Sequence, residues 1–242
     1  MSHKSIFAIF ISCLVAGCHM DAQSWMKEGI KGEGDVIKQE ITLESLRGIN
    51  LAFDGDVVLT PGSTQKIVLE GQQNILDNIK RDVKDGNWNI GYVKNVHDAK
   101  DVTVYIALPG IEQIRLTGSG SIHSTGKFTG LNKVDIEVSG SGDVTFQYDA
   151  QSTNMQLSGS GTIEAAGTSN SLMIAISGSG DVKAQDLIAD DCTIHISGSG
   201  DASVQANRKL ESSISGSGDV SYSGTASVTT KISGSGEVSK IR

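Results

Sequence analysis

The stretch Ile194-His195-Ile196-Ser197-Gly198-Ser199-Gly200-Asp201-Ala202 holds the pattern that decides the fold, because its elements recur seven times along the chain. Gly-Ser-Gly corners span Gly118 to Gly120, Gly140 to Gly142, Gly159 to Gly161, Gly178 to Gly180, Gly198 to Gly200, Gly216 to Gly218 and Gly234 to Gly236, at intervals of 22, 19, 19, 20, 18 and 18 residues. Two positions before each corner stands an aliphatic side chain: Leu116, Val138, Leu157, Ile176, Ile196, Ile214 and Ile232. Two further back come Ile114, Ile136, Met155, Ile174 and Ile194, then Ser212 and Thr230, so the last two coils are weaker there. Two positions after each corner comes another apolar column, Ile122, Val144, Ile163, Val182, Ala202, Val220 and Val238. Such alternation marks strands with one buried face. A return every 18 to 22 residues brings equivalent strands back to one place, where they stack in parallel at ~4.8 Å. The expectation is an all-β solenoid with two main strands per coil, one on each side of the corner. All fourteen corner glycines are expected to serve the turn, where Gly reaches φ > 0 without a Cβ penalty. A β-branched residue at Gly180 is expected to strain such a φ.

The pattern reaches back beyond the obvious copies. Ile49-Asn50-Leu51-Ala52-Phe53-Asp54-Gly55-Asp56-Val57 aligns with Ile194 to Ala202, and Gly34-Asp35-Val36 lies one coil length earlier, which would start the first coil near Gly34. Between Gly55 and Gly120 the period blurs. Asp85-Gly86, between two β-like runs, reads as a hairpin turn, and the region as the irregular cap that a solenoid end requires.

Composition sets further bounds. Gly is 29 of 242 residues and Pro only 2, which does not fit a disordered Pro/Gly linker. Aromatics at 5% leave the core to Val, Ile, Leu and Ala. At the N-terminus, Lys4, the apolar run Ile6 to Ala16 and the small residues before Cys18 read as an export signal, too short to span a bilayer. Val15-Ala16-Gly17-Cys18 resembles a bacterial lipobox, which implies cleavage before Cys18 and acylation of its thiol; His19 in place of Asp points to the outer membrane. Residues 1–17 are then signal and 18–33 lipidated Cys and tether. The solenoid takes 34–242, irregular over 34–117 and regular over 118–242. Loss of Lys4 takes the net charge from −8 to −9. So acidic a surface repels phosphate backbones, so nucleic acid is not an expected partner. With Cys13 removed and Cys18 acylated, Cys192 alone stays free, facing the core.

Together these residues resemble the autotransporter-adhesin head domain named for a Gly-Ile-Asn tripeptide, here Gly48-Ile49-Asn50. Phe53-Asp54-Gly55-Asp56-Val57, Leu59-Thr60-Pro61-Gly62, Asn74-Ile75-Leu76-Asp77, Lys84-Asp85-Gly86-Asn87 and Leu108-Pro109-Gly110 look like its other landmarks. The resemblance covers roughly residues 34 to 242. It implies a right-handed parallel β-helix of pectin-lyase-like shape, an adhesive role and no catalytic residues.

An acid follows the corner in Asp143, Asp181, Asp201, Asp219 and Glu237, a series broken by Ser121 and Thr162. One acid per coil differs from the nonapeptide spacing of calcium-binding repeats, so turn chemistry is the expected role. His97, His123 and His195 show no metal-ligand spacing, and no metal or cofactor is expected. The outward residues before the corners, among them Arg115, Asp135, Glu137, Asn154, Gln156, His195, Glu211 and Lys231, repeat no acid–base pair. Aromatic platforms for sugars are few: Trp25, Trp88, Tyr92, Phe128, Tyr148 and Tyr222. The expected function is therefore a non-enzymatic envelope module presenting a solenoid face to a protein or glycan. Its rivals are a polysaccharide-active enzyme and a purely structural envelope protein. Beyond the seventh corner the open strand edge, flanked by Lys231, Lys240 and Arg242, is expected to be guarded by these cations, leaving the domain monomeric.

Overall fold

The computed structural model describes residues 29–241; the export signal, Cys18 and Arg242 lie outside them. Five long strands, Phe128–Gly140, Asp143–Gly159, Thr162–Gly178, Asp181–Gly198 and Ala202–Gly216, each occupy most of one coil. Each pairs in parallel with the next, and the registers align the columns read from the sequence. Ile136 lies beside Met155, then Ile174, Ile194, Ser212 and Thr230 in succession. The result is a β-solenoid of about seven turns.

The two strands of a coil are joined in one hydrogen-bonded run, and a slip in the pleat separates them. In the coil from Asp143 the buried residues are Val144, Phe146, Tyr148 and Ala150, and then Thr153, Met155 and Leu157. The odd step across Gln151-Ser152 turns the chain onto the second face. Where the interval lengthens from 19 to 20 residues, the register shifts between Glu164 and Ala166, opposite Lys183 and Asp186, and takes up the extra residue. Phe128, Phe146 and Tyr148 form an aromatic row inside, with centroids 5.2 and 5.1 Å apart.

At the corners the two glycines do different work. The first has φ between 127° and 137° in every copy, for example 132° at Gly198, whereas the third Gly is never at positive φ. A Val at Gly180 would therefore meet no left-handed backbone, which corrects the expectation for that position. What forbids a side chain there is proximity: a Cβ would lie 2.3 Å from the Gly161 carbonyl oxygen and 2.8 Å from Leu157. The corners are stacked that closely because they bond to one another. The carbonyl of each first Gly accepts an N–H from the Ser one coil later, as Ser199 donates to Gly178 at 2.8 Å and Ser217 to Gly198 at 2.9 Å.

The N-terminal part departs from the order of the sequence. Gly48–Leu51 pairs in parallel with Gln113–Gly118 on one side and Asn87–Ile90 on the other. Asp56–Pro61 likewise lies between Ser121–Ser124 and Thr103–Leu108. The coil formed by residues 87–108 therefore sits at the end of the stack, and coil 48–61 is sandwiched between it and coil 113–124. Nor does a coil begin near Gly34. Val36–Ile41 is antiparallel to Lys66–Gln72, which is antiparallel to Thr103–Leu108, so these strands fold over as a cap. The Asp85-Gly86 turn, with φ of 52° and 74°, closes the hairpin of Val83–Lys84 with Asn87–Ile90. Under this cap Trp88 is fully buried, its indole N–H donating to the Lys80 carbonyl at 2.8 Å.

Candidate functional site

Inward residues of the face before the corners build the core, so its alternating outward residues stand in three columns over the same strands. The first runs Asn87, Gly48, Gln113, Asp135, Asn154, Met173, Thr193, Glu211 and Thr229. The second runs Asn89, Asn50, Arg115, Glu137, Gln156, Ala175, His195, Ser213 and Lys231. The third is a row of exposed hydroxyls immediately before the corners: Thr117, Ser139, Ser158, Ser177, Ser197, Ser215 and Ser233.

Three depressions follow one another along this face. One of 410 Å³ lies over the coils from Asn87 to Gln156. A second of 500 Å³ shares Glu137 and Gln156 with it and continues to Ser213. A third of 300 Å³ shares His195 and Ser213 with the second and reaches Lys231. Shared walls make them one trough parallel to the solenoid axis. A separate hollow of 310 Å³ lies on the cap, between Glu40 and Ile67.

The Gly-Ile-Asn tripeptide forms part of the trough floor. Gly48 has no side chain because Asn87 and Gln113 cover it: a Cβ would fall 2.0 Å from Asn87 Oδ1 and 2.8 Å from Gln113 Cβ. Ile49 points into the core. Asn50 donates from Nδ2 to Asn89 Oδ1 at 3.1 Å and accepts from the Thr117 hydroxyl at 3.2 Å. The charged side chains of this end neutralise one another. Arg115 binds Glu137, its Nε donating at 2.8 Å and its Nη2 lying 2.6 Å away, and Lys133 lies 2.7 Å from Asp135 Oδ2. Asp135 Oδ1, shielded from solvent, has no hydrogen-bond partner among the described residues.

Of the five acids after the corners, which lie on the other face, the four aspartates are spent on the backbone. Asp143 Oδ1 accepts the Thr162 N–H at 3.0 Å, Asp181 that of Asp201 at 3.2 Å, Asp201 that of Asp219 at 2.7 Å, and Asp219 that of Glu237 at 2.8 Å. Each carboxylate thus bonds the N–H of its counterpart one coil later. Among the described residues no group of three or more His, Cys, Asp or Glu side chains is placed to hold a metal ion. His195 lies in the trough, His123 on the opposite face and His97 on a short strand beside Lys31. Cys192 is buried between Leu172 and Leu210, and desolvation pushes its thiol up to about 12, which removes it as a nucleophile at neutral pH. Of the aromatic candidates, Trp25 lies outside the described residues and the others stand away from the trough. Trp88, Phe128 and Tyr148 are buried, Tyr92 stacks on Phe53 with centroids 4.4 Å apart, and Tyr222 lies under the Lys240 ammonium.

Sequence spacing alone did not bring Asn50, Asn87, Asn89 and Gln113 to this face, because their coils stack out of sequence order. One signal was available: Gly55 and Gly120 are equivalent, an offset of 65, and the same offset carries Asn50 onto Arg115 and Val57 onto Ile122.

None of the curated proteins matches the chain. Solved structures do. The crystal structure of a "putative adhesin" from Bacteroides fragilis is 24% identical with a TM-score of 0.81, covering 88% of this chain and 100% of that one. A "putative lipid binding protein" from Parabacteroides distasonis is 22% identical with a TM-score of 0.73, covering 89% and 100%. A "putative adhesin" from Parabacteroides merdae is 18% identical with a TM-score of 0.69, covering 88% and 99%. At these identities the three show a shared fold. A family model matches residues 45–226, from just ahead of the tripeptide to beyond the sixth corner, and by that match the chain belongs to the family described as "Putative auto-transporter adhesin, head GIN domain".

Proposed function

We propose that this protein is a non-enzymatic adhesin or binding module of the cell envelope, held at the outer membrane by lipid on Cys18, with the trough as its binding surface. The observation that carries the reading is the continuity of that trough across the coils, on a face whose carboxylates are paired with cations instead of facing one another across a reaction centre. A long, shallow surface on a rigid scaffold, polar at its Asn87 to Gln156 end, suits recognition of an extended partner. The family description and the two neighbours named as adhesins agree with it. The domain acts as a monomer, Lys231 and Lys240 guarding the open edge. The anchor follows from the lipobox-like Val15 to Cys18.

The test compares cells carrying the wild-type protein with cells carrying Gln156→Lys and Ser177→Lys, which fill the trough without touching the core. Adherence to host matrix or neighbouring cells should fall severalfold with normal surface exposure by protease shaving. Unchanged adherence would overturn the reading. Intact mass of the membrane-extracted protein should place the mature N-terminus at acylated Cys18, and a soluble protein beginning elsewhere would remove the anchor.

A further inference from the structure

We infer that the trough takes a neutral, linear glycan lying along the solenoid axis, a step that rests on the trough being the adhesive surface. The first ground is charge. The protein carries a formal net charge of −8, yet the deepest-walled end of the trough is balanced, Arg115 against Glu137 and Lys133 against Asp135. A strongly anionic chain would find no free cation at this end, and a cationic one would find its carboxylates already engaged.

The second ground is hydrogen-bonding capacity. Asn50, Asn87, Gln113, Asn154 and Gln156 line the same depression, and each amide offers both a donor and an acceptor. That is the dual character of a sugar hydroxyl.

The third ground is shape and periodicity. The trough crosses successive coils at ~4.8 Å per coil, and its outward pairs are polar from Gln113 with Arg115 through Asn154 with Gln156, give way to Met173 with Ala175, and turn polar again at Thr193 with His195. A polymer of repeating polar units gains contacts coil by coil, each weak and all additive along its length. A folded protein partner would seek a broad patch with an aromatic and apolar centre. No aromatic residue lines any of the three depressions. Over the coils from Gln113 to Gly216 an extended peptide has no strand edge to join on this face, since those strands are paired on both sides.

The experiment uses the purified full-length mature protein in affinity electrophoresis through gels containing xylan, mixed-linkage β-glucan, dextran, mannan, polygalacturonate or no polymer. At least one neutral polymer should retard the wild type, and its oligomers should bind more tightly as they lengthen across the coils. Asp135→Asn and Gln156→Lys should each weaken retardation by tenfold or more, while Lys183→Ala on the opposite face should leave it unchanged. Retardation by polygalacturonate alone, or retardation insensitive to both trough variants, overturns the glycan inference. If no polymer binds while adherence still depends on Gln156 and Ser177, the glycan inference fails and the adhesive trough stands. If adherence ignores those residues as well, both fail.

Discussion

The two ends of the solenoid are built from the same columns and finished in opposite ways. At one end Trp88 occupies the position that Ile49, Ile114 and Ile136 hold further along, and it is fully buried beneath the antiparallel strands of the cap. At the other end the same column closes with Ser212 and Thr230; Thr230 is exposed and Ile232 next to it is 42% exposed. Stacking buries each coil from its two neighbours, so a terminal coil receives cover on one side only. Where a lid supplies the other side, the column can end in the largest side chain available. Where no described residue does, the column turns to hydroxyls and less apolar surface meets water.

That contrast can be broken first at the cap. Trp88→Ala should cost about 3–5 kcal/mol in urea unfolding, since it empties a sealed volume and strands the Lys80 carbonyl. A cost below about 1 kcal/mol would mean that the cap contributes little to the stack. A corner in the middle of the solenoid comes next. Gly198→Ala places a Cβ at φ 132° and 2.2 Å from the Gly178 oxygen, so a loss of at least about 1–3 kcal/mol is expected. Gly180→Ala tests the proximity effect without the φ, and a wild-type melting curve for it would show that the corners can spread apart.

Smaller effects sharpen the comparison. Asp201→Ala removes the acceptor for the Asp219 N–H in an exposed ladder, and a loss of about 1 kcal/mol is expected by thermal melt. If the loss matched that of the glycine variants, the ladder would be as important as the backbone stack. Ile232→Ala at the open end should cost less than about 1 kcal/mol, because the side chain is already half in water. A cost typical of core Ile would imply that a partner or another segment covers this end in solution.

The regular coils were legible because their geometry is local. Residues Ile114 to Val238 alternate inward and outward at every corner, and any chain that returns after about twenty residues must stack those columns in the same order. The acid after the corner was legible for the same reason, its partner being the equivalent position one coil on. The difference between the glycines of a corner was not. Positive φ belongs to the first Gly, while the third is excluded from bearing a side chain by an oxygen nineteen residues away in the previous coil, from Gly180 to Gly161.

The sequence by itself thus determined the repeat, the buried columns and the expectation of a parallel β-solenoid, because period and polarity set which residues face inward. Only the tertiary structure decided the order of the first coils. Placing residues 87–108 outside residues 48–61 leaves no mark in local polarity, since both coils alternate correctly in either order. The trough depends on that placement: Asn87, Asn50, Gln113 and Asp135 become neighbours across strands far apart in the chain, and their shared surface follows from long-range parallel pairing.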